Sequence, residues 1–224
     1  MPSILLATNN KDKIIELQGL LKDLNLQLLT PADIDLELDV IEDGLTYAEN
    51  ASKKALAFAQ ASGLISLTDD SGLEVDALNG EPGLYSARYG STNGKKLSAG
   101  ERRKYLLGKL QDHPRPWTAR FKATIAIAVP TNVTLSETKG LAHSQAETLQ
   151  SLRELRVTCV EGICEGEIIP EERGTGGFGY DPIFLFPELG KTMSELGMDE
   201  KNRLSHRARA VVKTKEILKS LFAV

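Results

Sequence analysis

Four short stretches of this sequence carry side chains whose types and spacing could bind a ligand. The first is Asp69-Asp70-Ser71-Gly72, which follows the apolar residues Leu64, Ile65 and Leu67. Those residues read as a buried strand, and acids closing such a strand sit where ligands of open α/β sheets bind. Adjacent strand residues face opposite sides, so Asp69 and Asp70 are expected to have separate roles. Asp, Ser and Gly also favour plain turns, which is the alternative. The second stretch is Thr8-Asn9-Asn10-Lys11-Asp12-Lys13. As a strand-to-helix turn it would offer backbone N–H groups and a positive dipole end to an anion, with Lys11 and Lys13 adding full charges. Helix capping by Asn9 or Asn10 is the plainer reading.

The third stretch, Gly174-Thr175-Gly176-Gly177-Phe178-Gly179-Tyr180-Asp181-Pro182, matches the dinucleotide fingerprint in letter only. That motif opens a helix, whereas Pro182 and the apolar run behind it demand extended chain. A flexible backbone approaching a ligand fits better, with Phe178 or Tyr180 as a stacking platform. The fourth is His206-Arg207, just after Ser205, a helix cap by type. Cations in a first helical turn oppose the dipole, which points to a partner outside the helix.

The elements that must position these groups follow from periodicity. Residues 3–7 form a first strand, and Ile14, Leu17, Leu20, Leu21 and Leu24 recur at helical spacing. Residues 36–41 read as a second extended segment ending in Glu42-Asp43-Gly44. Thr46 and Glu49 have capping-box spacing, Ala48, Ala51, Ala55 and Ala59 make a slim stripe, and Gly63 terminates that helix. A helix is expected over 95–111, then a strand over 117–129 with Thr118, Arg120, Lys122 and Thr124 on its wetter face. Residues 130–156 are polar and aperiodic, a surface excursion with a short helix, and strand returns over 157–169. Thr192 and Glu195 make another capping box before the last helix.

Composition narrows the class. At 224 residues, with a net charge of −4, the chain can bury a sizeable core and offers no basic field for nucleic acid. No apolar run approaches the roughly 20 residues of a membrane span. Cys159 and Cys164 lie on opposite faces of one expected strand, so they should not pair, which fits a reducing cytoplasm.

Taken together, the motifs resemble the inosine triphosphate pyrophosphatase (Ham1) family. The matching blocks are ATNNKDKIIEL at 7–17, EDGLTYAENA at 42–51, DDSGLEVDALNGEPGLYSARYG at 69–90, GTGGFGYDPIF at 174–184, KTMSEL at 191–196, and Lys201 with SHRARA at 205–210. They run in the family's order over nearly the whole chain. Asp12 stands where the family usually has glycine, and an acid beside a phosphate site is unwelcome unless it points away.

The resemblance implies an α/β fold: a long twisted mixed sheet flanked by helices, one domain over 1–224, two lobes and a nucleotide cleft between them. It implies hydrolysis of inosine, deoxyinosine and xanthosine triphosphates to monophosphate and pyrophosphate by a Mg2+-dependent cytoplasmic homodimer. Glu42 and Asp70 would hold Mg2+, and Asp70 would also be the general base. Ser71 and the stretch Thr8, Asn9, Asn10, Lys11, Asp12 and Lys13 would bind phosphate. Phe178, Gly179, Tyr180 and Asp181 would surround the base, with Lys201, His206 and Arg207 donating to a 6-oxo group. Two other readings stand beside this one: a Maf-like pyrophosphatase with pyrimidine or modified-base preference, and a catalytically silent nucleotide-binding module. The C-terminal block argues against the first, and Glu42, Asp70 and Lys13 against the second.

Overall fold

The computed structural model describes residues 1–92, 94–130 and 156–222. Its elements are β1 (Ser3–Leu6), α1 (Lys11–Leu21), β2 (Gln27–Leu29), α2 (Tyr47–Ser62), β3 (Ile65–Val75), α3 (Ala99–Leu110), β4 (Trp117–Val129), β5 (Arg156–Ile168), β6 (Phe184–Phe186), β7 (Lys191–Thr192), α4 (Met198–Leu204) and α5 (His206–Phe222). The strands form one sheet in the order β2-β1-β3-β4-β5-β6-β7. It is mixed: β1 runs parallel to β2 and β3, while β6 is antiparallel to β5 and β7. The expected α/β class is therefore present. The expected excursion at 130–156 lies almost entirely outside the described residues.

Two compact units divide the chain: Met1–Asp70 with Ile125–Val160 and Val212–Val224, and Ser71–Thr124 with Glu161–Val211. In the first unit, the alanine stripe of α2 buries Ala51, Ala55 and Ala59 against Ala126 and Ala128 of β4. Small side chains on both elements let helix and strand approach closely. Thr68 of β3 also donates its hydroxyl to the Ala51 carbonyl at 2.8 Å, which fixes the register between them. The helix begins as its sequence dictates, with Thr46 Oγ1 accepting from Glu49 N, a cap worth about 1 kcal/mol. Gly63 ends it at φ 68°, a left-handed conformation that glycine adopts without strain.

In the second unit, Trp117, Ala119 and Phe121 of β4 alternate into a core shared with Cys164 and Ile168 of β5, Leu106 and Leu110 of α3, and Tyr180 and Phe184. The opposite face of β4 carries Arg120 and Lys122, both paired with Glu74 of β3. Thr124 departs from that wet face: it is buried, 3.5 Å from Glu161.

Two expectations need correction. The carboxylates do not close their strand, because β3 continues through Asp69, Asp70 and Ser71 to Val75. Neighbouring strands supply ladder partners that override the low strand propensity of Asp and Gly. Residues 36–41 form no strand. Leu36, Leu38 and Val40 do alternate inward, as an extended segment should, but no ladder partner flanks them. The second strand is instead Gln27–Leu29, too short to announce itself by pattern.

Candidate active site

The functional side chains fall into two groups, one in each unit. In the first unit, α1 starts one turn earlier than its apolar repeat suggests. Asn10 is its N-cap, accepting from Asp12 N at 3.0 Å and Lys13 N at 3.3 Å, while Thr8 Oγ1 accepts from Asn10 N. The capping alternative is thus realised at Asn10. Asn9, Lys11 and Asp12 are exposed, and Asp12 sits in the first turn, where the dipole welcomes an acid. Lys13 Nζ donates to the Asp69 carbonyl at 2.9 Å and lies 3.5 Å from its carboxylate. Asp69 is buried, so this cation is drawn towards the middle of β3.

Glu42 is carried by a loop bound tightly to α2. Gly44 N donates to the buried Asn50 Oδ1 at 2.7 Å, Leu45 N to Glu49 Oε2 at 2.8 Å, and Lys53 to Asp43 at 2.5 Å. Lys54 forms an ion pair with Glu42 itself. A cavity of about 140 Å³ opens beside them, lined in part by Thr8, Asn9, Glu42 and Lys54.

Asp70 is the strained member of this group. Its Oδ2 is buried and has no hydrogen-bond partner among the described residues. Burial pushes its carboxyl above the usual range; Lys13 and Lys54 pull it down, and Glu42 and Asp69 push it up. A buried acceptor without a donor is costly. A hard dication would relieve both that orphaned oxygen and the repulsion from Glu42, since Mg2+ takes one or two carboxylates and keeps its waters. The donor set fits such an ion.

In the second unit, the glycine-rich segment opens no α-helix but runs into a single 3₁₀ turn, Asp181–Ile183, so the extended chain expected at Pro182 begins only at Phe184. Its backbone turns through positive φ at Gly174, Gly177 and Gly179. Gly177 is also required by space, because a Cβ there would fall 2.1 Å from Asp181 Oδ2. That oxygen accepts from Phe178 N at 2.9 Å and from Lys201 Nζ at 2.7 Å. The Asp181 and Lys201 side chains are each only 5% exposed. The Lys201 ammonium and the Arg207 guanidinium lie 5.3 and 5.7 Å from the centroid of the Phe178 ring. Arg207 is buried and donates to Ser71 Oγ at 3.3 Å, which adds Ser71 to this second group.

Ser205 caps α5 by accepting from Ala208 N, as its type suggests. His206 stacks on Phe121 at 4.8 Å and brings Nδ1 within 3.9 Å of Cys164 Sγ. Tyr180 is a core residue whose hydroxyl donates to the Ser86 carbonyl; burial pushes its pKa up to about 12. Its ring is therefore spent on packing, which leaves Phe178 as the available platform of the two.

Sequence reasoning missed the residues that hold these groups in place. Lys54 and Asn50 lie on α2 among alanines, and Arg103 lies on α3. Arg103 donates 2.7 Å hydrogen bonds to the Gly179 carbonyl and the Glu172 carboxylate. The Arg103 contacts join segments far apart in sequence, and no local spacing marks them.

Comparison with known proteins places the chain in a family. The sequence model of the Ham1 family matches residues 4–217. A dITP/XTP pyrophosphatase of Desulforamulus reducens is 43% identical over 98% of this chain and 96% of its own length. A Thermus thermophilus protein of the same name is 43% identical over 93% of this chain and 87% of its own. Among solved structures, a Ham1 protein from Coxiella burnetii superposes with a TM-score of 0.78 at 35% identity, covering 98% of this chain and 100% of that one. The Staphylococcus aureus Ham1 protein gives 0.76 at 33% identity, covering 97% and 98%.

Proposed function

The chain belongs to the Ham1 family, and from that premise we propose that it hydrolyses deoxyinosine, inosine and xanthosine triphosphates to the monophosphate and pyrophosphate. The observation that carries the chemistry is Asp70, whose buried Oδ2 has no hydrogen-bond partner among the described residues and whose pKa is raised in the field of Lys13, Lys54 and Glu42. Glu42 and Asp70 would hold Mg2+, which when bound supplies charge neutralisation for the polyphosphate.

The remaining work falls to the chain's own groups. Lys13 supplies a point charge, and the first turn of α1 offers backbone N–H groups to phosphate oxygens. Asp70 accepts a proton from the attacking water, a task helped by a basicity that burial raises above the usual carboxylate value. Phe178 stacks on the purine, and Lys201, His206 and Arg207 donate towards the 6-oxo group. Adenine carries an amino donor there, which would face these donors instead of accepting from them. A mismatch of that kind discriminates by ~10⁴-fold or more.

We extend the reading to a Mg2+-dependent cytoplasmic homodimer. Both cysteines are free, and no helix among the described residues is long and apolar enough to cross a membrane. The test is Asp70→Asn: turnover of dITP should vanish while calorimetry still detects nucleotide binding. Retained turnover would remove Asp70 from its role.

A further inference from the structure

Phe178 can act as a stacking platform only if its backbone is held, and the segment around it has little of its own to hold it. No ladder of strand or helix bonds runs through 174–180, and its glycines leave the chain many conformations to lose. On one side, Asp181 Oδ2 fixes the Phe178 N–H at 2.9 Å. Further back, Gly176 exchanges bonds with Ser194, whose hydroxyl donates to the Gly176 carbonyl and whose own carbonyl accepts from Gly176 N. On the other side, one guanidinium supplies the clamp. Arg103 Nη1 donates to the Gly179 carbonyl at 2.7 Å, and Nη2 donates to Glu172 Oε2 at 2.7 Å.

These acceptors flank the loop. Glu172 stands just before its first glycine and Gly179 just after Phe178, so a single planar fork pins both ends of the segment that carries the ring. The Arg103 side chain is only 14% exposed. Its helix is itself anchored, with Ser98 and Glu101 forming a reciprocal cap and Leu106 and Leu110 in the core.

We infer that Arg103 is a positioning residue for purine recognition, closing the 172–179 loop so that the Phe178 ring is presented to the base. It touches neither substrate nor metal in this account. The inference rests on the pyrophosphatase reading above and adds a specificity determinant on a helix outside the family-like motifs.

The experiment uses the full-length protein with Mg2+ and follows pyrophosphate release from dITP. Loss of a charge-assisted clamp in Arg103→Met should raise KM for dITP about tenfold and leave kcat near the wild-type value. Arg103→Lys should fall between the two, because an ammonium cannot span both acceptors as a fork does. Glu172→Gln, which keeps the bond to Gly179, should raise KM by a smaller factor. Inorganic tripolyphosphate carries no base, so it should inhibit wild-type and Arg103→Met proteins at the same concentration.

A purely structural Arg103 would lower the melting temperature without moving KM, and that result would overturn the inference. Equal weakening of dITP and tripolyphosphate would overturn it too. Wild-type protein inert towards dITP would overturn the functional reading itself. A wild-type protein active on dITP, with Arg103→Met indistinguishable from it, would defeat only the role assigned here.

Discussion

The buried pair of Lys201 and Asp181 offers the sharpest energetic prediction. Their side chains are each 5% exposed and meet at 2.7 Å. Replacing Lys201 by Met preserves much of the volume but leaves the Asp181 carboxylate buried without its ammonium. Removing one partner of such a pair typically costs about 3–5 kcal/mol. At roughly 2–4 °C per kcal/mol for a chain of this size, the melting temperature should fall by roughly 6–20 °C. In the double variant Lys201→Met with Asp181→Asn no charge is stranded, and the amide oxygen can still accept from Phe178 N. Most of the lost stability should therefore return. Thermal unfolding of the wild type, the two single variants and the double variant at one pH closes the cycle. Activity supplies the second axis: the double variant should be folded yet poor at telling dITP from ATP. A Lys201→Met protein melting within a degree of the wild type would refute the buried-pair reasoning. So would losses that simply add in the double variant.

Other outcomes follow from the same geometry. At Gly162 a Cβ would fall 2.1 Å from the His206 carbonyl and 2.4 Å from Ala210 N, both backbone atoms of α5. Gly162→Ala should therefore displace the start of α5, cost about 1–3 kcal/mol and reduce the preference for dITP over ATP, read by calorimetry and kinetics. Burial raises the Asp70 pKa above 3.8, so the folded protein holds a proton that the unfolded chain releases. Stability from this group is then lost as pH rises through that window. Without metal, Asp70→Asn should melt above the wild type at pH 7, with the gap narrowing as pH is lowered; a variant melting below the wild type at neutral pH would contradict the assignment. Glu42→Gln should raise the Mg2+ concentration for half-maximal activity by about tenfold or more. An unchanged metal requirement would remove Glu42 as a ligand.

Much of the scaffold could be read from local pattern. The alternation over 117–129 coincides with β4, and Thr46 with Glu49 marks the start of α2. Pro182 argues against an α-helix after the glycine-rich segment and none forms there, although a short 3₁₀ turn spans Asp181–Ile183 before the strand. The failures share one cause, which is that tertiary pairing overrides local preference. Asp69 and Asp70 look like a strand's end, yet ladder partners carry β3 on to Val75. Residues 36–41 alternate like a strand and lack a neighbour to become one.

The candidate site divides in the same way. Asp70, Phe178 and Arg207 could be singled out from the sequence, by residue type together with the family resemblance. Their supports could not. Asn50, Lys54 and Arg103 are ordinary helix residues whose importance appears only when the chain folds them against Gly44, Glu42 and Gly179.

The central claim concerns which bond is cut and on which bases. A pyrophosphate-specific assay over dITP, ITP, XTP, ATP, GTP and dTTP with Mg2+ measures both at once. The account predicts pyrophosphate as the first product from dITP, ITP and XTP, with ATP and dTTP slower by orders of magnitude. Orthophosphate as the first product, or equal rates on dITP and ATP, would contradict it.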